Sequence, residues 1–223
     1  KKIYLATHIK QIYNISDDEF DLNNLQNEID KLNDMDFAVL NTKASKKMVE
    51  AIDEARMNTD SLGGILETIV VNVPAGLGDP LFTSVEGALA NAMFGIGGIK
   101  GVEFGKGFEF ASMKGSSAND PFRVEDGKVI TTTNNNGGIN GGITNGMPIV
   151  MKTVVKPTSS ISIKQDSVDM YSNENSTIEI VGRHDPAIIH RARVVVDSMT
   201  SFVLLDLLIT RYGQDWANIL WEA

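Results

Sequence analysis

Hairpin turns and helix caps are interleaved along these 223 residues, and that mixture limits the fold more than any other feature. Strands joined by tight turns pair antiparallel, and amphipathic helices between them need a sheet face to cover. Gly105-Lys106-Gly107 separates the runs 99–104 and 108–113 and predicts a short hairpin. Asp126-Gly127, between 122–125 and 128–133, predicts another. Residues 65–73, rich in β-branched side chains between Gly63-Gly64 and Pro74, read as a strand, as do 149–155 and 177–181.

Helical signals fall between these runs. Ser16 and Glu19 have the spacing of a capping box, and Leu22, Leu25, Ile29 and Leu32 follow on one helical face. The spacing of Met48, Val49, Ile52 and Ala55 predicts a second helix over 45–56. Ser84 is placed to cap a third, with Val85, Ala88, Leu89, Ala92 and Met93 packing inward. Asp185-Pro186 reads as N-cap and first helical residue of a long helix to about Arg211, apolar on most faces and expected to be buried. Gly213 ends it, and 215–223 is expected to form one more short helix. The pattern predicts one α+β domain of layered sheets and helices over 1–223. At this size folding buries roughly 70% of the surface the unfolded chain exposes.

Charge and composition exclude several functions. Twenty Lys and Arg against 29 Asp and Glu leave a formal charge of −9. A nucleic-acid partner and an anionic membrane surface are not expected, since phosphate backbones need a basic face. With no cysteine, disulfide scaffolds, zinc–cysteine sites, iron–sulfur clusters and a cysteine nucleophile are ruled out. The most apolar stretch, 194–209, is interrupted by Asp197, Ser198, Thr200, Ser201 and Asp206 and is too short and polar to span a bilayer.

Three segments have the composition of a ligand site. Residues 134–146 hold five Asn and five Gly, which could bring backbone close to a flat or charged ligand or simply form a mobile surface loop. No Gly-Lys-Ser/Thr follows, so it is not a Walker A loop. Gly95-Ile96-Gly97-Gly98-Ile99-Lys100 is a near miss to a dinucleotide fingerprint. Lys156-Pro157-Thr158-Ser159-Ser160 offers one cation, a rigid proline and three hydroxyls, enough to clasp a phosphate, or an ordinary polar turn. Gly182-Arg183-His184-Asp185-Pro186 gathers a guanidinium, an imidazole and a carboxylate at a helix start, where Asp185 could also be only a cap. His184 and His190 are six residues apart and do not share a helical face, so no metal site is expected. His8 reads as an ordinary histidine.

Taken in order, these segments resemble the chorismate synthase family. The series runs from Gly63 to Leu208: Val73-Pro74-Ala75-Gly76-Leu77-Gly78-Asp79-Pro80, Ile99-Lys100-Gly101-Val102-Glu103-Phe104-Gly105, Gly115-Ser116, Asn119-Asp120, the Asn134–Gly146 run, Pro148-Ile149-Val150, the Lys156 segment with Ile161, and the Gly182–Pro186 pentad. The resemblance implies a layered β–α sandwich, a homotetramer and a cytoplasmic lyase. It implies 1,4-anti elimination of phosphate from 5-enolpyruvylshikimate 3-phosphate, giving chorismate, with reduced FMN. NADPH would enter only if the parent enzyme is bifunctional. Carried over residue by residue, FMN contacts fall on Gly97 and Gly98, on Gly141, on Lys156, Pro157, Thr158, Ser159 and Ser160, and on Arg183. Asp185 matches the carboxylate that moves a proton at the reduced ring.

Family members also carry an N-terminal segment with two catalytic histidines, several arginines and an Arg-Ser-Ser-Ala-Arg flavin motif, none of which occurs in these 223 residues. The chain is therefore expected to be the C-terminal portion of a longer enzyme and to have negligible turnover alone. Ala187, His190 and Arg193 depart from the residues common in the family. The alternatives are a non-catalytic flavin- or anion-binding module and an oligomerisation domain.

Overall fold

A computed structural model describes residues 2–182 and 184–215. In chain order its elements are β1 (Tyr4–Ile12), β2 (Ile15–Ser16), α1 (Leu25–Asn33), α2 (Thr42–Met57), β3 (Gly64–Val71), α3 (Val85–Phe94) and β4 (Ile99–Phe104). A 3-10 turn (Gly107–Ser112) and the single turn α4 (Gly115–Ala118) lead to β5 (Phe122–Glu125), β6 (Lys128–Thr131), β7 (Ile139–Asn140) and β8 (Ile143–Thr144). The chain closes with β9 (Ile149–Val155), β10 (Gln165–Asp169), β11 (Glu174–Ile178) and α5 (Ile189–Tyr212).

The central sheet has the order β2-β1-β3-β9-β4, antiparallel throughout. Its two faces follow from the period of two along each strand. Ile9, Leu66, Val70, Ile149, Met151 and Val155 share one buried cluster with Leu89 and Met93 of α3 and Val196 and Leu204 of α5. Burying each such side chain is worth about 1.5–3 kcal/mol. On the other face Ala6 and Ile69 meet Ile29 and Leu32 of α1. Helices therefore lie on both sides of one sheet, and the expected α+β class holds.

Several local expectations are corrected. Ser16 belongs to β2 and caps nothing; α1 starts at Leu25, and Leu22 is half exposed. The true cap in this region is Asn41, whose side chain accepts from the Lys43 and Ala44 amides and starts α2 three residues early. Val49, expected inward, is exposed. No hairpin forms at Gly105-Lys106-Gly107. The Glu103 carboxylate accepts from the Phe108 amide, the chain coils into the 3-10 turn, and β4 takes β9 as its partner. The Asp126-Gly127 hairpin forms as β5 and β6. The strand expected at 177–181 lies at 174–178, paired with β10. Ser84 caps α3 as expected, its hydroxyl accepting from the Gly87 amide at 3.0 Å.

The long helix begins at Ile189, not Pro186. Its N-cap position is Ile188, without a side-chain bond, and Asp185 makes a local turn by accepting from the Ala187 amide at 3.0 Å. Nor is α5 buried all round: Val194, Val195, Phe202, Leu205 and Ile209 are exposed on one side. Arg193, on the buried side, donates to the Leu32 and Met35 carbonyls at the end of α1 and to Thr7 in β1. A guanidinium at a helix C-terminus is favoured by the carbonyl dipoles, and here it ties three elements together. The short helix expected over 215–223 lies beyond the described residues from 216 on.

His8 is not ordinary. It is fully buried, with Nδ1 2.8 Å from Asp17 Oδ2 and Nε2 2.9 Å from Glu67 Oε2. Burial alone pushes the imidazole down, but the hydrogen bonds and charges of Asp17 and Glu67 outweigh it and hold its pKa above the ordinary value. Burial likewise pushes both carboxyls up. His8 and the Leu40 and Asn41 amides bring Asp17 below its usual range, and His8, Lys10 and Lys152 do the same for Glu67. The signs fix a pH window. Stability from His8 is complete below about pH 6.5 and is lost as pH rises through its raised value; that from the carboxyls is complete above about pH 4.3 and is lost on acidification. Urea midpoints measured across pH should therefore form a plateau between these limits and fall on both sides; a midpoint that rises from pH 6 to 9 would contradict the arrangement.

Candidate functional site

Strand β9 delivers the lysine–hydroxyl segment to its place. Where β9 ends, the Lys156 amide donates to the Gly98 carbonyl at 2.9 Å. This bond fastens Lys156 beside Gly97-Gly98 in the turn between α3 and β4. Pro157 then lies over Gly63, where an added Cβ would stand 2.7 Å from the Val155 carbonyl oxygen and 2.8 Å from Pro157. Ser61 Oγ donates to the Thr158 carbonyl at 2.6 Å, and the Ser162 amide donates to Thr59 at 3.3 Å. The segment is thus a strap tied down across 59–63. Lys156, Pro157 and Ser159 are exposed on it, and Thr158 and Ser160 are half-buried.

Asp185 joins the same end of the sheet. The Leu62 amide donates to the Pro186 carbonyl at 2.7 Å, and Ile188 lies 3.3 Å from the position of a Gly98 Cβ. The Asp185 carboxylate pairs with Arg191, and His184 Nε2 lies 3.0 Å from the Ile180 carbonyl oxygen. A cleft of about 840 Å³ opens here, with Arg56, Thr59, Ser162, His184, Asp185 and His190 in its wall. Arg183 lies outside the described residues.

Gly141 lies at the opposite end of α3 from Gly97 and Gly98. Gly141-Gly142 form the turn of the β7–β8 hairpin, and the Gly142 carbonyl accepts from the Val85 amide at the start of α3. Gly97-Gly98 follow the other end of α3. Ten helical residues at about 1.5 Å each put about 15 Å between the two ends. The structure brings together Gly97, Gly98, Lys156, Pro157, Thr158 and Asp185, and leaves Gly141 apart.

The asparagine–glycine run is ordered by a residue that composition did not single out. Asp120, 8% exposed, accepts from Thr133 Oγ1 at 2.6 Å, the Asn135 and Asn136 amides at 2.7 and 2.8 Å, and Asn136 Nδ2 at 2.7 Å. Burial pushes this carboxyl up; the Thr133 hydroxyl and the Asn136 and Asn135 donors outweigh it and hold it below its usual range. Gly105 and Gly137 then pass so closely that a Cβ on Gly105 would stand 2.0 Å from the Asn135 carbonyl oxygen. Both have positive φ, +55° and +61°. The reading of this run as a mobile loop is therefore replaced by a fastened one. Only its segregated Asn and Gly content hinted at this, because the acceptor lies 13 to 16 residues away.

A helix-clad antiparallel sheet that carries a lysine–hydroxyl strap beside a cleft is an α+β scaffold suited to an anionic ligand. The family model described as chorismate synthase matches residues 1–209, and the chain belongs to that family. Among the relatives, the chorismate synthase of Korarchaeum cryptofilum is 50% identical over 166 residues, 74% of this chain and 46% of that protein. The one from Pyrococcus abyssi is 50% identical over 169 residues, 76% of this chain and 48% of the relative. That of Methanosphaera stadtmanae is 43% identical over 212 residues, 93% and 56% of the two chains. A crystal structure of a chorismate synthase superposes with a TM-score of 0.78 at 29% identity, over 97% of this chain and 60% of that one. The chain spans about half the length of the curated relatives it matches.

Replacing Asp120 removes the acceptor of four hydrogen bonds and leaves half-buried amides unpaired. Asp120→Ala should lower unfolding free energy by about 3 kcal/mol, read from urea denaturation. Asp120→Asn should recover part of that loss. An unchanged urea midpoint for Asp120→Ala would show that the run is not fastened this way.

Proposed function

We propose that this chain is the C-terminal, cofactor-holding portion of a chorismate synthase, which in the whole enzyme eliminates phosphate from 5-enolpyruvylshikimate 3-phosphate to give chorismate. The observation that carries this reading is the Lys156 strap, fixed by its backbone bond to Gly98 and tied across residues 59–63, in a chain whose relatives bear that name.

The residues present suit reduced FMN. Gly97 has open space where a Cβ would stand, so a flat ring can approach its backbone. Thr158 Oγ1 is buried without a hydrogen-bond partner in the protein, a donor available to a phosphate or bound water. Lys156 is exposed and supplies positive charge next to it. When bound, the reduced flavin supplies electron density to the substrate as phosphate leaves. The protein's part is to hold the cofactor with Lys156, Thr158, Ser159 and Ser160, to set Gly97 and Gly98 beneath it, and to hold or move a proton at the Asp185 carboxylate. Arg191 pairs with the Asp185 carboxylate and orients it at the cleft. Arg183 is assigned to the cofactor by the family resemblance alone. Gly141, at the other end of α3, is likewise assigned to the cofactor by the family resemblance alone. A homotetramer is in keeping with the uncovered apolar side of α5. Among the described residues no helix is long and apolar enough to cross a membrane, which is compatible with a cytoplasmic enzyme.

The test is a titration of FMN into the chain, followed by flavin fluorescence. Saturable binding is expected, weakened about tenfold or more in Lys156→Ala, a loss of about 1.4 kcal/mol. No binding, or equal binding by the variant, would reject the cofactor assignment. In a complete enzyme carrying this segment, Asp185→Ala should keep FMN and slow phosphate release by at least about a hundredfold, the scale of a lost general acid or base. An unchanged rate would remove Asp185 from the chemistry. Flavin binding without phosphate release even in the complete enzyme would favour a non-catalytic flavin-binding module.

A further inference from the structure

The sheet face away from α5 holds a second, smaller pocket, and its charges are arranged for a particular kind of ligand. The floor is the cross-strand pair Glu67 in β3 and Lys152 in β9, directly opposite one another in register. Such neighbours ordinarily close on each other. Here each is drawn outward instead. Glu67 Oε2 is held by His8 Nε2 at 2.9 Å, and Lys152 Nζ is held by Glu103 Oε1 at 3.3 Å. A pocket of about 200 Å³ opens over the two. Among the described residues Glu67 Oε1 accepts no hydrogen bond, and the Lys152 ammonium keeps donors beyond the one directed at Glu103.

The rim repeats the pattern, with Glu19 and Lys106 on it. Two carboxylates and two ammonium groups make the lining neutral. A lone anion would meet Glu67 and Glu19, and a lone cation would meet Lys152 and Lys106. A ligand with both charges meets neither penalty. The remaining wall is mixed: Phe20, Leu22, Ile69 and Val150 are apolar, while Asn134 and Asn135 are polar, and Asn134 Oδ1 is buried without a hydrogen-bond partner. Phe20 is set by its edge-on packing against His8, ring centroids 4.7 Å apart. Glu67 is drawn toward β1 and Lys152 toward β4, which leaves room between them for the ammonium and the carboxylate of one ligand to meet one each.

We infer that this pocket binds a free α-amino acid with an apolar side chain. The ammonium is taken by Glu67 Oε1, the carboxylate by Lys152 with Lys106 behind it, and the side chain lies along Phe20, Leu22, Ile69 and Val150. The site is separate from the Lys156 strap: the strap begins beyond the far end of β9, whereas this pocket spans the Val150 and Lys152 positions on the opposite face from Met151 and Val155.

Calorimetric titration of the purified chain with L-leucine and L-phenylalanine tests this. One of the two should bind saturably below about 10 mM, while phenethylamine and 3-phenylpropionate, each lacking one charge, should bind at least about tenfold more weakly. Leu22→Asp changes a half-exposed rim residue that supports no other element, and should cost at least about tenfold in affinity while leaving the melting temperature in place. Lys152→Met should abolish binding, with its circular dichroism compared to the parent. No saturable heat from either amino acid, equal affinity for the singly charged analogues, or an unchanged affinity in Leu22→Asp would each overturn the assignment. FMN binding is a separate measurement, so failure here leaves the cofactor site as it stands.

Discussion

The placing of the Lys156 strap depends on where strand β9 ends. β9 lies between β3 and β4, and its two rows of backbone hydrogen bonds fix its register on both sides. A one-residue slip would turn Ile149, Met151 and Val155 out of the core and put Lys152 into it, at a cost of several kcal/mol. Register therefore decides that Lys156 emerges at the Gly98 carbonyl. It also decides that Lys152 stands opposite Glu67 on the other face. One strand serves two separate pockets, because successive side chains point to opposite sides of a sheet.

Buried polar groups do the fastening that apolar packing cannot. Asp17 binds His8 and two amides, Asp120 binds four donors in the asparagine–glycine run, and Arg193 takes carbonyls from two elements. In each case a charged group is desolvated and its partners compensate for the loss. Many of the partners are backbone atoms of irregular segments, among them the Leu40, Asn41, Asn135 and Asn136 amides and the Met35 carbonyl, which have no ladder of their own. Segments 34–41 and 134–137 are thereby as firmly placed as the strands beside them, and the pockets they border keep their shape.

Helix α5 shows the opposite economy. One side of its 24 residues is committed to the sheet and α3, while Phe202 and Leu205 remain at the surface. Its all-round apolar composition was legible in the sequence, but composition alone does not separate a side buried by its own sheet from one left uncovered.

Local chemistry was enough to place several parts: the Ser84 cap, the Asp126-Gly127 hairpin, the β-branched run of β3 and the stop at Gly213. Each is governed by interactions within a few residues, and such interactions can be read along the chain. The capping box at Ser16 and the hairpin at Gly105 failed because long-range partners displaced the local ones: β1 claimed Ser16's strand, and β9 claimed β4. The roles of His8, Asp120 and Gly141 were out of reach for the same reason. His8 finds Glu67 across 59 residues. Asp120 reaches its donors through the loop's own folding. Gly141 is set at the opposite end of α3 from Gly97 and Gly98 by the pairing of β7 with β8. Residue chemistry supplied the groups able to hold an anion, and only strand pairing decided which of them could act together.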